Sequence, residues 1–457
     1  MFCNFVEKHM EKHEVERIPE AERRSRESSL FFLWFASNLT IGDLALGFLF
    51  ASFGIPLYEY IISALIGNIL GGTMLSLMSV TGKVTAQPQM ITGTRAFGKN
   101  GMKVMSGLQW GNTIGWLTFN TIIAAYALTA VMRTGNYYYI SILIISVVVF
   151  LLALLGHNIV QRFERYMSVI LGILFIYMSI EIVKNGGLIA SGLSTSSYSV
   201  LDAAVVVALS FSYIMSWGPY AADYSRYVPS SGSSKKVFAY SFVGSVTASF
   251  WVETVGFLVA VVTGITAATI PSEPIEALLG SYAAVGLITI VFGGLSANAL
   301  NLYSNSLSMR TVGIKLKRIW ALILVLAISV TLAVVGYRSF YLLYEDFLYL
   351  LDYWITPWLG VMIADFFIVR SADVNGLSHH GFNTRGIASY ILGIAISVPF
   401  MNPGSIINEM PISYLLGGVD ISYFISFSVS LLLYWLFSKV PVRIKSYGAS
   451  LRDGSDQ

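Results

Sequence analysis

The chain has 457 residues, of which 55% are hydrophobic and only 12% are charged, and its mean hydropathy is +0.69. Soluble domains carry about 25% charged residues, so this composition excludes a soluble protein and predicts an integral membrane protein. The single cysteine, Cys3, excludes an internal disulfide. The net charge of +3 is too small to indicate a nucleic-acid partner. No cofactor, metal or nucleophile motif occurs, so we expect no enzyme, no cofactor and no resident metal.

The apolar segments predict twelve transmembrane helices, since a helix of about 20 residues crosses a bilayer. They lie at residues 30–53, 57–80, 103–132, 137–156, 165–183, 200–222, 236–266, 284–310, 318–337, 340–369, 386–403 and 412–438. All of the 28 Lys and Arg residues except Arg133, Lys184 and Arg338 then lie on one side. Because Lys and Arg mark cytoplasmic loops, we predict cytoplasmic N- and C-termini. The membrane that we expect the protein to occupy is the plasma membrane.

Two of these spans contain residues that interrupt helices. Gly42-Asp43 lies midway through the first span and Gly218-Pro219 in the sixth. Transporters bind polar cargo at such breaks near the membrane midplane. Since the breaks are five spans apart, and a five-span repeat must insert inverted, the sequence predicts two inverted repeats. A packing kink at Gly218-Pro219 and a close helix contact at Gly42 are the alternatives.

The repeats set the expected domain boundaries. They are a cytoplasmic tail at 1–28, a first repeat at 29–183, a second repeat at 184–370, two accessory helices at 371–438 and a cytoplasmic tail at 439–457. The periodicity suggests this division without establishing it.

Five motifs give the chain a recognisable family character. They are VERIPEAER before the first span, WFASNLTIGDLALG in the first, IGWLTFNTI in the third, SWGPYAADYSRYVP in the sixth and SANALNLYSNSLS in the eighth. Together they resemble the nucleobase:cation symporter-1 family, purine-cytosine permease branch, over residues 15–438. The resemblance implies an all-α fold of the leucine-transporter type, with a 5+5 inverted repeat and two accessory helices. It also implies alternating access and import of cytosine or a purine, driven by H⁺ or Na⁺.

The resemblance further implies a site for a planar base. Trp116 and Asn120 are four residues apart and share a helix face; the matching family residues stack on the base and hydrogen-bond to it. Trp217 matches a second stacking aromatic residue, and we extend the site to Ser216 and Gly218, whose backbone would contact the base edge. The alternatives are a lipid-facing Trp116 and an interhelical hydrogen bond at Asn120.

Two further spans contribute to the expected site. In the eighth span, the family residues matching Asn298 and Asn301 contact the base or shape its pocket, with a helix-packing amide as the alternative. In the first span, Gly42 stands where relatives carry a serine or glutamine, so one contact to the base edge is removed.

A cation site is implied between the first and eighth spans. Its oxygen ligands would be the carbonyls of Ser37, Thr40 and Gly293 and the hydroxyl of Ser296. Ala297 lacks the hydroxyl that sodium-coupled relatives carry, which weakens a sodium site.

A proton route needs a titratable group within the membrane. Asp43 is the candidate, because a carboxyl at membrane depth is a functional hypothesis by default. Hydrogen bonding to backbone N–H groups freed at the break is the alternative, and a direct role as ligand for Na⁺ or for the base is a third. Glu253 is expected to be a structural partner.

Other functions are weighed against the same residues. A channel would need a continuous polar path, an enzyme a reactive constellation, and a sensor an appended domain. The serious rival is another planar heterocycle on the same scaffold: allantoin, hydantoin, thiamine, pyridoxine or a hydroxymethylpyrimidine.

Overall fold

The computed structural model describes residues 15–133, 137–154, 157–193, 196–266, 272–369, 381–403 and 408–439. Within these ranges the secondary structure is helical, without strands. Residues 1–14 and 440–457 of the two predicted tails lie outside the described part of the chain.

Thirteen helices form the framework of the described part of the chain. They are α1 (Ser29–Asn38), α2 (Ile41–Ser52), α3 (Leu57–Thr85), α4 (Thr94–Val131), α5 (Tyr138–Leu154), α6 (His157–Lys184), α7 (Val200–Met215), α8 (Ser234–Thr263), α9 (Ala283–Val312), α10 (Arg318–Gly336), α11 (Phe340–Ile363), α12 (Thr384–Ser397) and α13 (Ser422–Lys439). Short helices connect them: Gln89–Thr92, Gly186–Gly192, Ala222–Ser225, Glu273–Leu279 and Pro411–Leu415. Single turns of 3₁₀ helix occur at Glu20–Glu22, Gly218–Tyr220, Gly280–Tyr282, Tyr337–Ser339 and Val398–Phe400, and a π-helix at Ala364–Val369.

Each of the twelve predicted spans has a helical counterpart. Seven helical stretches of the described chain are long and apolar enough to cross a membrane, and the bent pair α1–α2 makes an eighth. One of the seven, Arg318–Val369, contains both α10 and α11. The remaining predicted spans correspond to the shorter helices α5, α12 and α13.

Three predicted boundaries are wrong. The last span was placed at 412–438, but Gly417 and Gly418, both with positive φ, separate Pro411–Leu415 from α13. The fifth span was placed at 165–183, but α6 begins before its charged residues, at His157. The third begins at Thr94 and bends at Gly98, where a φ of 77° favours glycine.

The long helices pack in two groups. The first helix group comprises α2, α3, α7 and α8, and the second comprises α4, α5, α9 and α10. Helices α1 and α6 pack against each other and against α8 and α9, so they connect the two groups. Helices α11, α12 and α13 pack together, and α11 also contacts α4 and α7.

A segment before α1 binds to the ends of the first helix group. In this N-terminal strap (residues 18–27), the terminal guanidinium nitrogen Nη2 of the buried Arg23 donates to the carbonyl of Lys83 at 2.5 Å and to that of Val228. The strap therefore ties the end of α3 to the chain that leads from α7 into α8.

Candidate substrate and cation site

The first span is broken between α1 and α2, which are bent by 48° relative to each other. Leu39 has a ψ of 57° and Thr40 is extended, so the break precedes Gly42-Asp43, both of which lie inside α2. The predicted interruption is therefore confirmed but was placed too late. The Asn38 side chain donates to the carbonyl of Trp34 at 2.7 Å, which helps satisfy the last turn of α1.

The sixth span is broken where the sequence predicted. Helix α7 ends at Met215, and the chain continues through the 3₁₀ turn Gly218–Tyr220 into the short helix Ala222–Ser225. Pro219 cannot donate an N–H group to a regular helix, so the local sequence accounts for this interruption.

The two breaks lie against each other. The indole Nε1–H of Trp217 donates to the side-chain oxygen of Asn38 at 3.2 Å. One turn earlier on α7, the Tyr213 hydroxyl and that of Thr40 are 2.6 Å apart. Both breaks therefore meet at one junction, with polar side chains of each chain segment bonded across it.

Trp116 projects from α4 into an aromatic cluster beside this junction. Its ring makes edge-to-face contacts with Tyr213, Tyr344 and Phe347, at centroid distances of 5.2, 6.1 and 5.3 Å. Trp116 is only 4% exposed, so the lipid-facing alternative is wrong. In the described part of the chain, the Trp116 Nε1–H and the Tyr344 hydroxyl have no hydrogen-bond partner.

Trp217 lies in a second aromatic cluster on the other side of the break. Its ring is 5.6 Å from that of Trp34 and 5.1 Å from that of Tyr220. The neighbouring Ser216 and Gly218 are also buried, and the Ser216 hydroxyl donates within its own helix turn. Since Asn38 and Thr40 bond to opposite clusters, the two aromatic clusters are adjacent along the break.

Gly42 faces the tyrosines of the first cluster. A Cβ atom there would lie 2.8 Å from the Tyr213 hydroxyl oxygen and 3.1 Å from that of Tyr344. Gly42 therefore makes a close helix contact, as the alternative interpretation of this glycine stated. The phenol hydroxyls occupy the space that a serine or glutamine side chain at this position would need.

The predicted amides separate into two kinds. Asn120 donates to the Asn298 oxygen at 3.2 Å, and Asn298 donates to the Leu117 carbonyl and the Thr121 hydroxyl. Both the oxygen and the amide nitrogen of Asn298 are thus bonded to protein partners between α4 and α9, as the helix-packing alternative states.

Asn301 differs from its neighbour on α9. Its side-chain oxygen accepts from the Tyr220 hydroxyl at 2.9 Å, whereas its amide nitrogen is buried and, among the described residues, has no partner. A buried donor of this kind is costly unless something binds it. Asn301 is therefore the better placed of the two predicted amides to meet a substrate.

The residues predicted for the cation come together around the first break. A Cβ atom on Gly293 would lie 2.7 Å from the Leu39 carbonyl oxygen and 3.2 Å from the Cα of Thr40, so glycine lets α9 approach the break. Ser37 is buried at the end of α1. The Ser296 hydroxyl donates to Glu164 of α6 at 2.5 Å.

Asp43 occupies a carboxyl cluster within the first helix group. It accepts a hydrogen bond from the Ser249 hydroxyl rather than from backbone N–H groups at the break, so that alternative is wrong. Glu253, one turn further along α8, accepts from Asn68 at 2.7 Å and from Ser210 at 3.1 Å. Its expected structural role agrees with these contacts, whereas a proton role for Asp43 stays a prediction.

Several residues of the junction were missed in the sequence. Tyr213 and Tyr220 flank the sixth-span break, and Asn38 directly precedes the first, so proximity to a break was an available signal. Tyr344 comes from α11, with nothing local to mark it. Glu164 was missed because the fifth span was placed one residue beyond it.

Comparison with known proteins agrees with this architecture. A family model described as permeases for cytosine/purines, uracil, thiamine and allantoin matches residues 17–426. A putative purine-cytosine permease of Bacillus subtilis, YxlA, is 27% identical over 94% of this chain and 96% of its own. The purine-cytosine permease fcyB of Emericella nidulans is 26% identical over 97% of this chain and 91% of its own.

Solved structures show the same fold. The structure of Mhp1, a nucleobase-cation-symport-1 family transporter, in a closed conformation with bromovinylhydantoin bound, superposes with a TM-score of 0.76. The match covers 94% of this chain and 95% of Mhp1 at 16% sequence identity. The chain is a multi-pass membrane transporter with this all-α fold, and it belongs to the family of permeases for cytosine/purines, uracil, thiamine and allantoin.

Proposed function

We propose that the protein imports a nucleobase, cytosine or a purine, across the plasma membrane by symport with a cation. The observation that carries this proposal is the junction of the two broken helices. There, two aromatic clusters adjoin a set of buried donors without partners in the described chain: Trp116 Nε1, the Tyr344 hydroxyl and Asn301 Nδ2. A planar base rimmed with acceptors fits such a set.

Each predicted residue has a definite task in this proposal. Trp116 and Trp217 supply faces on which the base stacks, which is worth about 1–3 kcal/mol per base. Asn301 donates to the base edge, and the backbone of Ser216 and Gly218 contributes further polar contacts. Asn120 hydrogen-bonds to the base in this proposal, as the family resemblance implies.

The remaining predicted residues shape the site from its edges. Asn298 holds Asn120 in position across the seam between α4 and α9. Gly42 leaves the hydroxyls of Tyr213 and Tyr344 in place, so these two phenols take over the edge contact that the glycine cannot make.

The transport cycle follows from the two helix groups. The two helix groups, each of which contains helices from both inverted repeats at 29–183 and 184–370, would rock relative to each other and expose the junction alternately to either side. The accessory helices at 371–438 would stay outside this movement, and both termini would be cytoplasmic.

The coupling ion is H⁺ in this proposal rather than Na⁺. A sodium ion needs several oxygen ligands, and Ala297 supplies none through its side chain. A proton needs one acceptor, and buried carboxyls surround the first break. No cofactor is required besides the coupled ion.

A different planar heterocycle is the second candidate cargo. The family description includes thiamine and allantoin, and the Mhp1 structure has bromovinylhydantoin bound. Any flat polar ring could stack between the two clusters, so the same junction would serve hydantoin, pyridoxine or a hydroxymethylpyrimidine.

Uptake of radiolabelled substrates tests the proposal directly. Cytosine, adenine, uracil, allantoin and thiamine would be offered to cells that lack their own carriers, with Na⁺ or choline, at an acidic and a neutral pH. We expect uptake of cytosine or adenine that rises in acid and ignores Na⁺. Uptake of allantoin or thiamine alone would contradict the nucleobase assignment, and dependence on Na⁺ would contradict proton coupling.

A further inference from the structure

Asp352 of α11 is a buried carboxyl that lies outside the motifs and outside the proposed substrate site. It has no exposed surface. Within the described chain, neither its Oδ1 nor its Oδ2 atom has a hydrogen-bond partner. By contrast, the carboxyls of Asp43, Glu164 and Glu253 each accept at least one hydrogen bond. Since an ionisable side chain at membrane depth indicates a functional site by default, Asp352 needs a role.

The carboxyl of Asp352 lies where α7, α11 and α13 meet. The Ser212 hydroxyl of α7 is next to this carboxyl, but it donates instead to the Leu348 carbonyl oxygen, one turn earlier on α11, at 2.8 Å. Towards α13, the nearby acid is Asp420, which precedes that helix and accepts from the Tyr353 hydroxyl at 2.7 Å. The surroundings of Asp352 thus include one hydroxyl that is already engaged and one acid.

Asp420 and Asp352 differ in how they are bonded. Asp420 accepts from the Tyr353 hydroxyl and from the backbone N–H groups of Asn402 and Ser422, at 2.7, 2.8 and 2.8 Å. Three donors of this kind stabilise a negative charge. A second negative charge on Asp352 would be repelled by the first and would have no donor of its own. The described arrangement therefore suits a charged Asp420 beside a neutral Asp352.

No cation among the described residues neutralises Asp352. The side chains that act on it electrostatically are acids or phenols, namely Asp420, Tyr349, Tyr353 and Tyr423. The elements packed against α11 carry these further titratable groups: Asp202 and Tyr213 on α7, Arg95, Lys99, Lys103 and Tyr126 on α4, Arg385 and Tyr390 on α12, Tyr434 and Lys439 on α13, Asp365 in the π-helix, Tyr337 and Arg338 in the preceding turn, and Asp43 on α2, which approaches α11 at Tyr344. None of these is bonded to Asp352.

A buried carboxylate without a donor or a cation is too costly to persist. Asp352 is therefore stable in this arrangement as the neutral carboxyl. After loss of its proton, the carboxylate would need a donor, and the adjacent candidate is the Ser212 hydroxyl. To bond to Asp352, Ser212 must release the Leu348 carbonyl, so deprotonation breaks a contact between α7 and α11.

The same two helices carry the aromatic side chains of the substrate junction. Ser212 directly precedes Tyr213, whose ring contacts that of Trp116 at 5.2 Å, and α7 ends three residues later at the sixth-span break. On α11, Tyr344 and Asp352 are eight residues apart and share a helix face, and Tyr344 also contacts Trp116. A change of charge at Asp352 thus acts on two helices that hold the Trp116 ring.

We propose that Asp352 binds and releases the coupled proton. One carboxylate Oδ atom takes up a proton from the outer side to form the neutral carboxyl, and the same atom later returns that proton to the cytoplasm. Because the neutral form fits the described packing of α7 against α11, proton binding and this packing favour each other. The inference rests on the proposed cation symport and competes with Asp43, the candidate from the sequence.

The first test uses the full-length protein reconstituted in liposomes, with the membrane potential held at zero. Exchange of radiolabelled cytosine or adenine without a gradient reports the substrate site, and accumulation driven by a pH gradient reports coupling. One coupled proton supports about tenfold accumulation per pH unit. For Asp352→Asn, which mimics the neutral carboxyl, we expect exchange to persist and accumulation to fall to equilibration. Glu345→Gln, a matched change two turns earlier on α11, should keep accumulation.

A second measurement reports proton binding without any cargo. A carboxyl that is protonated in the folded state and ionised in the unfolded state makes stability fall as the pH rises. The melting temperature of the purified protein, followed from acidic to neutral pH, should therefore fall less steeply in Asp352→Asn than in the wild type. Equal slopes would overturn the assignment, because a merely structural Asp352 would shift the melting temperature equally at every pH.

The outcomes separate this inference from the proposed cargo. A wild-type protein that exchanges neither base, but melts with a steeper pH dependence than Asp352→Asn, would contradict the cargo and support the proton site. Proton-driven accumulation that survives in Asp352→Asn would overturn the role of Asp352, as would a wild-type protein driven only by Na⁺. If Asp352→Asn does not fold, Ser212→Ala decides. Without this donor the charged form is costlier, so the pH profile of accumulation should move to higher pH, and an unchanged profile contradicts the assignment.

Discussion

Two polar regions meet within one helix turn of α9, and they use their amides differently. In the seam between α4 and α9, Asn298 has every hydrogen-bonding group matched by a protein partner. In the junction of the broken helices, Asn301 has its oxygen matched and its amide nitrogen unmatched. Two asparagines of equal burial and similar motif thus serve different purposes. The matched amide fixes helix position, and the unmatched one is available to a substrate.

The largest effect on uptake is expected from removing the ring of Trp116, on which the base is proposed to stack. Trp116→Ala should reduce uptake by about tenfold or more, since base stacking alone is worth about 1–3 kcal/mol. Radiolabelled uptake, normalised to protein in the membrane, measures this. Trp116→Phe retains an aromatic face and should keep part of the activity. Normal uptake by Trp116→Ala would remove this residue from the site.

A comparable loss is expected from the unmatched amide. Asn301→Ala removes a donor to the base edge and should lower uptake about tenfold, because each buried polar contact is worth about 1–3 kcal/mol when one partner is left unsatisfied. The melting temperature of the purified protein should change little, since the only protein partner in the described chain is the Tyr220 hydroxyl. A large fall in melting temperature with normal specific uptake would reverse the comparison.

A substitution in the seam between α4 and α9 should instead lower stability more than uptake. Asn298→Ala breaks the contacts to Asn120, Leu117 and Thr121, and amide contacts between membrane helices are worth about 0.6–1.7 kcal/mol. We expect a lowered melting temperature and reduced protein in the membrane, with uptake per folded molecule falling less than in Asn301→Ala. Loss of uptake at an unchanged melting temperature would place Asn298 in the substrate site instead.

The smallest effect is expected outside both regions, in the N-terminal strap. The backbone N–H of Ser233 donates to Glu27 at 2.9 Å and holds the pKa of this carboxyl below its usual value. The contact therefore stabilises the fold above that pKa and is lost as the pH falls through it. Because the group is largely solvated, Glu27→Gln should cost less than about 0.5 kcal/mol. Thermal unfolding against pH measures this, and the difference from wild type should vanish in acid.

Much of the fold was accessible from the sequence because its signals are local. Apolar length and the distribution of Lys and Arg predicted the spans, and Gly218-Pro219 marked a real interruption. The first break was misplaced because Gly42 is compatible with a helix. The interruption occurs instead at Leu39 and Thr40, where α9 approaches closely at Gly293.

The site was less predictable because its polar partners are distant in sequence. Glu164 and Ser296 are 132 positions apart, and no local sequence signal pairs them. Tyr344 reaches Trp116 only through the packing of α11. The motif identified Asn298 and Asn301 equally. Only the three-dimensional contacts show that one is fully bonded within the protein and the other is not.

The strap around Arg23 has a kinetic consequence. One guanidinium group holds the carbonyls of Lys83 and Val228 together, so the end of α3 and the chain entering α8 separate only after it releases one of them. Any opening movement that separates Lys83 from Val228 must first break one of these two hydrogen bonds, so breaking that bond adds to the activation barrier for opening. The turnover number of such an opening would then depend on a residue that contacts neither the cargo nor the ion.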